Sequence, residues 1–125
     1  MSTIRRILVV DDNHDSADSL AMILKRIGYS VETAYGGSAA VTAFESFGPE
    51  AVLLDIGMPD MDGYETALRI RELPQGRGTV LIAQTGWGQE EDQRRTAEVG
   101  FDAHLTKPVE IAELVRLLEK LQPAL

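Results

Sequence analysis

Apolar residues along the chain fall into two patterns: short continuous runs, and stretches in which they recur every three or four positions. A continuous run suits a strand buried on both faces, whereas the wider spacing marks a helix with one buried side. Residues 7–10 form the first run, which stops at the acidic pair Asp11 and Asp12. Ala17, Leu20, Ala21, Leu24 and Ile27 follow at helical spacing, with Asp15 and Asp18 in the first turns and Gly28 as the stop. Residues 29–35 read as a second strand. Gly36, Gly37 and Ser38 then predict a turn and an N-cap for a second helix with Ala40, Val41 and Phe44 as its buried stripe, closed by Gly48-Pro49.

The third strand is expected over residues 51–54, ending at Asp55. Residues 56–63 carry two glycines, a proline and two aspartates, so they predict a loop, and a third helix runs from about Tyr64 to Glu72. After a turn at Gly76 to Gly78, residues 79–83 form a fourth strand pointing toward Thr85. Residues 89–99 predict a fourth helix, acidic early and basic later, with little apolar stripe. A fifth strand over residues 103–106 leads to Lys107-Pro108 and a fifth helix bearing Ile111, Leu114, Val115, Leu118 and Leu121. Alternation of this kind is α/β architecture, and five units predict a flavodoxin-like (βα)5 doubly wound parallel sheet of strand order 2-1-3-4-5.

Composition narrows the function. A length of 125 residues with 44% hydrophobic residues supports one core, so a single domain is expected over 1–125, with its core at about 4–121. The net charge of −8 argues against direct nucleic-acid or membrane contact. No apolar stretch reaches the length of a membrane span and the N-terminus lacks a signal-peptide core, so a cytoplasmic protein is expected. Without cysteine, any metal must be held by oxygen or imidazole.

The unusual polar residues all follow apolar strands: Asp11 and Asp12 after the first, Asp55 after the third, Thr85 after the fourth, Lys107 after the fifth. In an open parallel sheet the carboxyl ends share one edge, and ligands bind where the strand order reverses, here between strands one and three. Asp11, Asp12 and Asp55 are therefore expected in one crevice, where their mutual repulsion calls for a hard divalent cation. Mg2+ suits oxygen ligands and keeps waters that a phosphoryl oxygen can replace. A metal, the Lys107 cation and the Thr85 hydroxyl around Asp55 would complement the charge that spreads over a phosphoryl group in transfer.

From Ile4 to about Leu121 the sequence resembles the receiver domains of bacterial response regulators. The resemblance rests on Leu-Val-Val-Asp-Asp at 8–12, Leu-Leu-Asp-Ile-Gly-Met-Pro-Asp-Met-Asp-Gly at 53–63, Gln-Thr-Gly at 84–86 and Leu-Thr-Lys-Pro at 105–108. Any one of these is weak, and four in register are specific. The likeness implies that Asp55 is the phosphoacceptor, that Asp12, Asp55 and the Gly57 carbonyl bind Mg2+ with Asp11 acting through water, and that Thr85 and Lys107 contact the phosphoryl group. It also implies a cis bond before Pro108, a sensor histidine kinase or phosphotransfer domain as partner, and a signalling module rather than an enzyme, catalysing only its own phosphorylation and dephosphorylation. The segments around 84–92 and 101–109 look most like receivers of hybrid histidine kinases, with a free-standing regulator as the alternative.

Two features depart from the family pattern. His104 stands where a switching aromatic is usual, which points to a weaker or pH-sensitive partner for Thr85. Gly57 replaces a frequent polar residue beside the attacking water, and Trp87 occupies the matching place after Thr85, so slow dephosphorylation is expected. His14 is expected to face solvent without a role, and Leu117 beside Leu118 suggests a weak dimer through the fourth and fifth helices. An Asp-x-Asp phosphatase nucleophile is missing after strand one, and the acidic run there would repel a flavin phosphate, which sets aside a dehalogenase-like phosphatase and a flavodoxin-like electron carrier.

Overall fold

A computed structural model describes residues 4–58, 61–86 and 98–121. Five strands, β1 (Arg6–Val10), β2 (Ser30–Ala34), β3 (Ala51–Asp55), β4 (Val80–Thr85) and β5 (Ala103–Thr106), form one sheet in the order β2-β1-β3-β4-β5. Every pairing is parallel. The described helices are α1 (His14–Ile27), α2 (Gly37–Phe47), α3 (Gly63–Glu72), a 3-10 turn (Pro74–Arg77) and α4 (Ile111–Lys120), the last being the fifth helix expected from sequence. Most of the expected fourth helix, and Trp87, lie outside the described residues. Among the described residues no helix is long and apolar enough to cross a membrane.

Continuous apolar strands are explained by two cores, one on each face of the sheet. Leu8, Val10, Val52, Leu54, Leu81 and Ala83 meet Ala40, Phe44, Ala67 and Ile70 of α2 and α3. The alternate residues Ile7, Val9, Ala51, Leu53, Val80 and Ile82 meet Ala17, Ala21, Leu24, Leu114 and Leu118 of α1 and α4. Because side chains alternate along a strand, only an unbroken apolar run can serve both faces.

The helix boundaries follow local chemistry. The Asn13 side chain caps α1 by accepting from Ser16 N, and Gly28 ends it at φ 125°, a conformation that side chains rarely adopt. Asp62 caps α3 in the same way through Glu65 N. Three expectations are corrected. Ser38 lies inside α2 and Gly36 is the N-cap, because extended backbone at Gly36 already starts the helix two residues earlier than a cap at Ser38 would. Ile27 is 48% exposed, since α1 turns its last apolar residue past the edge of the core. Val41 is only half-buried for a similar reason, the stripe of α2 being narrow.

Arg71 at the end of α3 fastens the amino edge of the sheet. Its guanidinium donates to the carbonyls of Gly76 (2.8 Å), Thr79 (2.6 Å) and Gly100 (2.6 Å) and pairs with Asp102 at 3.2 Å. The Asp102 carboxylate in turn accepts from Leu81 N at 2.8 Å. This clasp ties the start of β5 to α3 at the end of the sheet remote from the acidic strand tips.

Candidate functional site

The reversal of strand order between β2-β1 and β3 opens a crevice at the carboxyl edge, and the acidic residues converge there. Carboxylate oxygens of Asp11, Asp12 and Asp55 lie within 4.8 Å of one another. Asp55 closes β3 and Asp11 follows β1, both buried, while Asp12 is exposed at the mouth. The cleft is about 530 Å³ and is bordered also by Asn13, Gly57, Tyr64, Gly86 and Lys107.

Backbone donors and one cation fix the two buried carboxylates. Asn13 N donates to Asp11 Oδ1 and Gly57 N donates to Asp55 Oδ1, each at 3.0 Å, so each aspartate is held by the residue two beyond it. Lys107 Nζ bridges the other oxygens, 3.0 Å from Asp55 Oδ2 and 3.4 Å from Asp11 Oδ2. β5 aims the lysine there because Lys107 N donates to Thr85 O at 2.9 Å, and the Lys107–Pro108 peptide is cis. The Lys107 side chain keeps 37% exposure, so the ammonium can still reach a group entering the cleft.

The charges do not balance. Burial pushes the Asp11 carboxyl above the ordinary aspartate range, the Asn13 N–H and Lys107 pull it back, and Asp55 adds to the rise. Burial alone would lower the Lys107 ammonium, but the hydrogen bond and charge of Asp55, reinforced by Asp11, raise it overall. One lysine facing three carboxylates leaves a surplus of negative charge, and hard oxygen donors in excess of their counter-charge are what a divalent cation requires.

Thr85 ends β4, 3% exposed, and its hydroxyl donates to Leu105 O at 3.4 Å. That long bond leaves the hydroxyl weakly held. His104 sits half-buried on β5, register partner of Ala83. His14 is exposed as expected, but its ring stacks on Tyr35 with centroids 3.8 Å apart, and Tyr35 donates to Asp18 at 2.6 Å. The site thus brings together Asp11, Asp12, Asp55, Gly57 and Lys107, and Thr85 is joined to it through its carbonyl, which accepts from Lys107 N.

Sequence reasoning missed two neighbours. Tyr64, in the first turn of α3, borders the cleft and packs edge-on against Phe101 at 6.5 Å; an aromatic directly after the Gly63 helix start was the available signal. Gln84 is 4% exposed on β4, and among the described residues its Nε2 has no hydrogen-bond partner. An unpaired buried amide costs about 1–3 kcal/mol. A polar residue directly after the apolar run Val80 to Ala83 marks the position in the sequence.

The profile of the response regulator receiver domain matches residues 7–119. An uncharacterized 14.6 kDa protein of the sodA1 3′ region in Leptolyngbya boryana is 40% identical over 91% of this chain and 87% of its own length. The hybrid signal transduction histidine kinase L of Dictyostelium discoideum is 35% identical over 92% of this chain, which spans only 7% of that kinase. For the transcriptional regulatory protein TrcR of Mycobacterium tuberculosis the identity is 34%, covering 93% of this chain and 44% of TrcR. Among solved structures, the chemotaxis protein CheY4 of Vibrio cholerae superposes with a TM-score of 0.88 at 26% identity, covering 94% of this chain and 98% of CheY4. A sensor histidine kinase receiver from Pseudomonas aeruginosa, solved with magnesium in its active-site cleft, gives 0.84 at 31% identity over 94% of this chain and 97% of the other. Because the profile covers residues 7–119, and relatives and fold agree with it over most of the chain, the chain belongs to the response regulator receiver domain family, the signalling modules of two-component systems.

Proposed function

We propose that this receiver takes a phosphoryl group onto Asp55 from a phosphohistidine of a sensor histidine kinase or phosphotransfer domain, with Mg2+ bound beside it. The observation that carries this reading is the bridge of Lys107 between Asp55 and Asp11 in an open, acid-rich cleft. The donor set fits magnesium: three carboxylates within 4.8 Å, all hard oxygens, with one lysine between them. Asp12, Asp55 and the Gly57 carbonyl would hold the ion and Asp11 would act through water; when bound, the ion neutralises charge on the phosphoryl oxygens.

In the transfer, an Asp55 oxygen forms the new bond to phosphorus as the bond to the donor imidazole nitrogen breaks, and the electron pair stays on that nitrogen. Two contacts prepare the carboxylate: the Gly57 N–H orients Oδ1, and Lys107 holds Oδ2. Lys107 can follow the incoming oxygens because its ammonium is already at Asp55 and half-exposed. Thr85 has a weak bond to Leu105 to exchange for a phosphoryl oxygen. Turning that hydroxyl toward Asp55 loosens β4 from β5 at their carboxyl ends, next to His104, so the signal leaves through β5 and the elements flanking it.

Incubation with acetyl phosphate tests this reading. Intact-mass spectrometry should show the addition of one phosphoryl group with Mg2+ and none after chelation. Equal modification in a chelator would remove the metal from the account.

A further inference from the structure

We propose that Gln84 is a positioning residue that couples the state of Asp55 to the groove between α1 and the segment 107–111. The proposal rests on Asp55 being the phosphoryl acceptor.

Gln84 and Asp55 are register partners on adjacent parallel strands, so their side chains leave the same face of the sheet. That face is the one covered by α1 and α4, because Val80 and Ile82, at alternate positions from Gln84, belong to the core there. The backbone of Gln84 also touches the acceptor's loop, its carbonyl accepting from Ile56 N at 3.3 Å. Gln84 therefore sits one strand from Asp55, on its side of the sheet, and joined to the residue after it.

The side chain also reaches a second space. A groove of about 500 Å³ has Gln84 and Val9 at its base, Leu20 and Ile23 of α1 on one wall, and Lys107 and Pro108 on the other. Lys107 thus borders both the acidic cleft and this groove. Native proteins pair nearly all buried amides, and an exception calls for a physical reason. Gln84 Nε2 is such an exception among the described residues, and a leucine or methionine would fill the same apolar face without an orphaned donor.

The two facts combine through Lys107. With Asp55 unmodified, the ammonium is divided between Asp55 at 3.0 Å and Asp11 at 3.4 Å. A phosphoryl group on Asp55 supplies new oxygens, and the lysine leaves Asp11 to meet them. Its backbone moves with it, and so does the segment 107–109, whose three carbonyls are acceptors beside the groove. The Gln84 amide gains a partner in that state. An interaction made only in the modified state shifts the equilibrium toward it, which is the condition for a residue to act in a switch.

The test compares wild type, Gln84→Leu and Gln84→Met, each free and with beryllofluoride plus Mg2+, by urea unfolding, together with side-chain amide NMR of wild type. Removing the orphaned donor should raise the folding equilibrium constant of the free variants about five- to thirtyfold. The added stability that beryllofluoride gives should be smaller in both variants than in wild type, although each still takes one phosphoryl group. In wild type the Gln84 amide protons should move downfield and exchange more slowly with water when beryllofluoride is added. Two results would overturn the proposal: unmoved Gln84 amide signals in a wild type that does bind beryllofluoride, or an equal beryllofluoride increment in all three proteins. The amide signals decide the matter if neither variant folds. A wild type that takes up neither acetyl phosphate nor beryllofluoride would instead refute the assignment of Asp55, and with it the basis of the coupling.

Discussion

Asp11 is a buried carboxylate whose surroundings work against its charge. Burial outweighs the Asn13 N–H and Lys107, so the folded protein holds the Asp11 proton more tightly than the unfolded chain does. Its contribution to stability is thus fullest below the ordinary aspartate range and is lost as pH rises through its own raised value. Asp11→Asn keeps the oxygen that accepts from Asn13 and removes the charge, so metal-free Asp11→Asn should be more stable than wild type at pH 7 by on the order of 1 kcal/mol. Urea unfolding from pH 4 to 7 would check this, and the gain should shrink toward acid. At Gly57, a Cβ would meet, among the described residues, only Asp55 Oδ1, at 3.6 Å, which is ordinary contact, so these neighbours leave room for a side chain beside Asp55. Glycine offers nothing to hold a water in line with the acyl phosphate, and Gly57→Asn should speed its decay on the order of tenfold, the effect of about 1.4 kcal/mol in a barrier. An unchanged decay rate in Gly57→Asn would place the control of lifetime elsewhere.

Between residue and fold stands the joint of β3 with α3, where Asp55 is set. Gly63 opens α3 so close to the strand end that a Cβ would lie 2.5 Å from Ile56 Cα and 2.7 Å from Asp55 O. Both obstacles are backbone and cannot swing aside. Gly63→Ala should destabilise the protein by about 1–3 kcal/mol and slow phosphorylation at the same time, because relief of the clash must move Asp55. Chemical denaturation with phosphorylation kinetics on one sample would check both, and full stability with normal kinetics would deny the close packing. Elements were the most legible level of the sequence: the apolar runs ending at Asp11, Asp55 and Lys107 became β1, β3 and β5, and strand-end chemistry followed from topology. What escaped was made by distant partners. Arg71 meets Gly100 and Asp102 across 29 and 31 residues, and no spacing announces it. The place of Gln84 became meaningful only when the register set it beside Asp55. The start of α2 was misplaced because serine is the better cap in isolation, while the backbone at Gly36 decides it here.

At the scale of the whole molecule, the two ends of the sheet do different work. The amino edge is tied by Arg71 and Asp102, and the carboxyl edge gathers three carboxylates, two of which Lys107 bridges. A sheet with apolar cores on both faces and its clasp at the far end gives the acidic edge a rigid frame. The chain's sequence matches a segment that is 7% of a hybrid kinase and 87% of a 14.6 kDa protein, so similar sequences occur in chains of very different length. The central claim is chemical: Asp55 is the acceptor. After acetyl phosphate and Mg2+, reduction with borohydride converts an aspartyl phosphate to homoserine, which peptide mass spectrometry then locates. Homoserine at position 55 alone, and none in Asp55→Asn, is the predicted result; homoserine at 11 or 12, or full phosphorylation of Asp55→Asn, would contradict it.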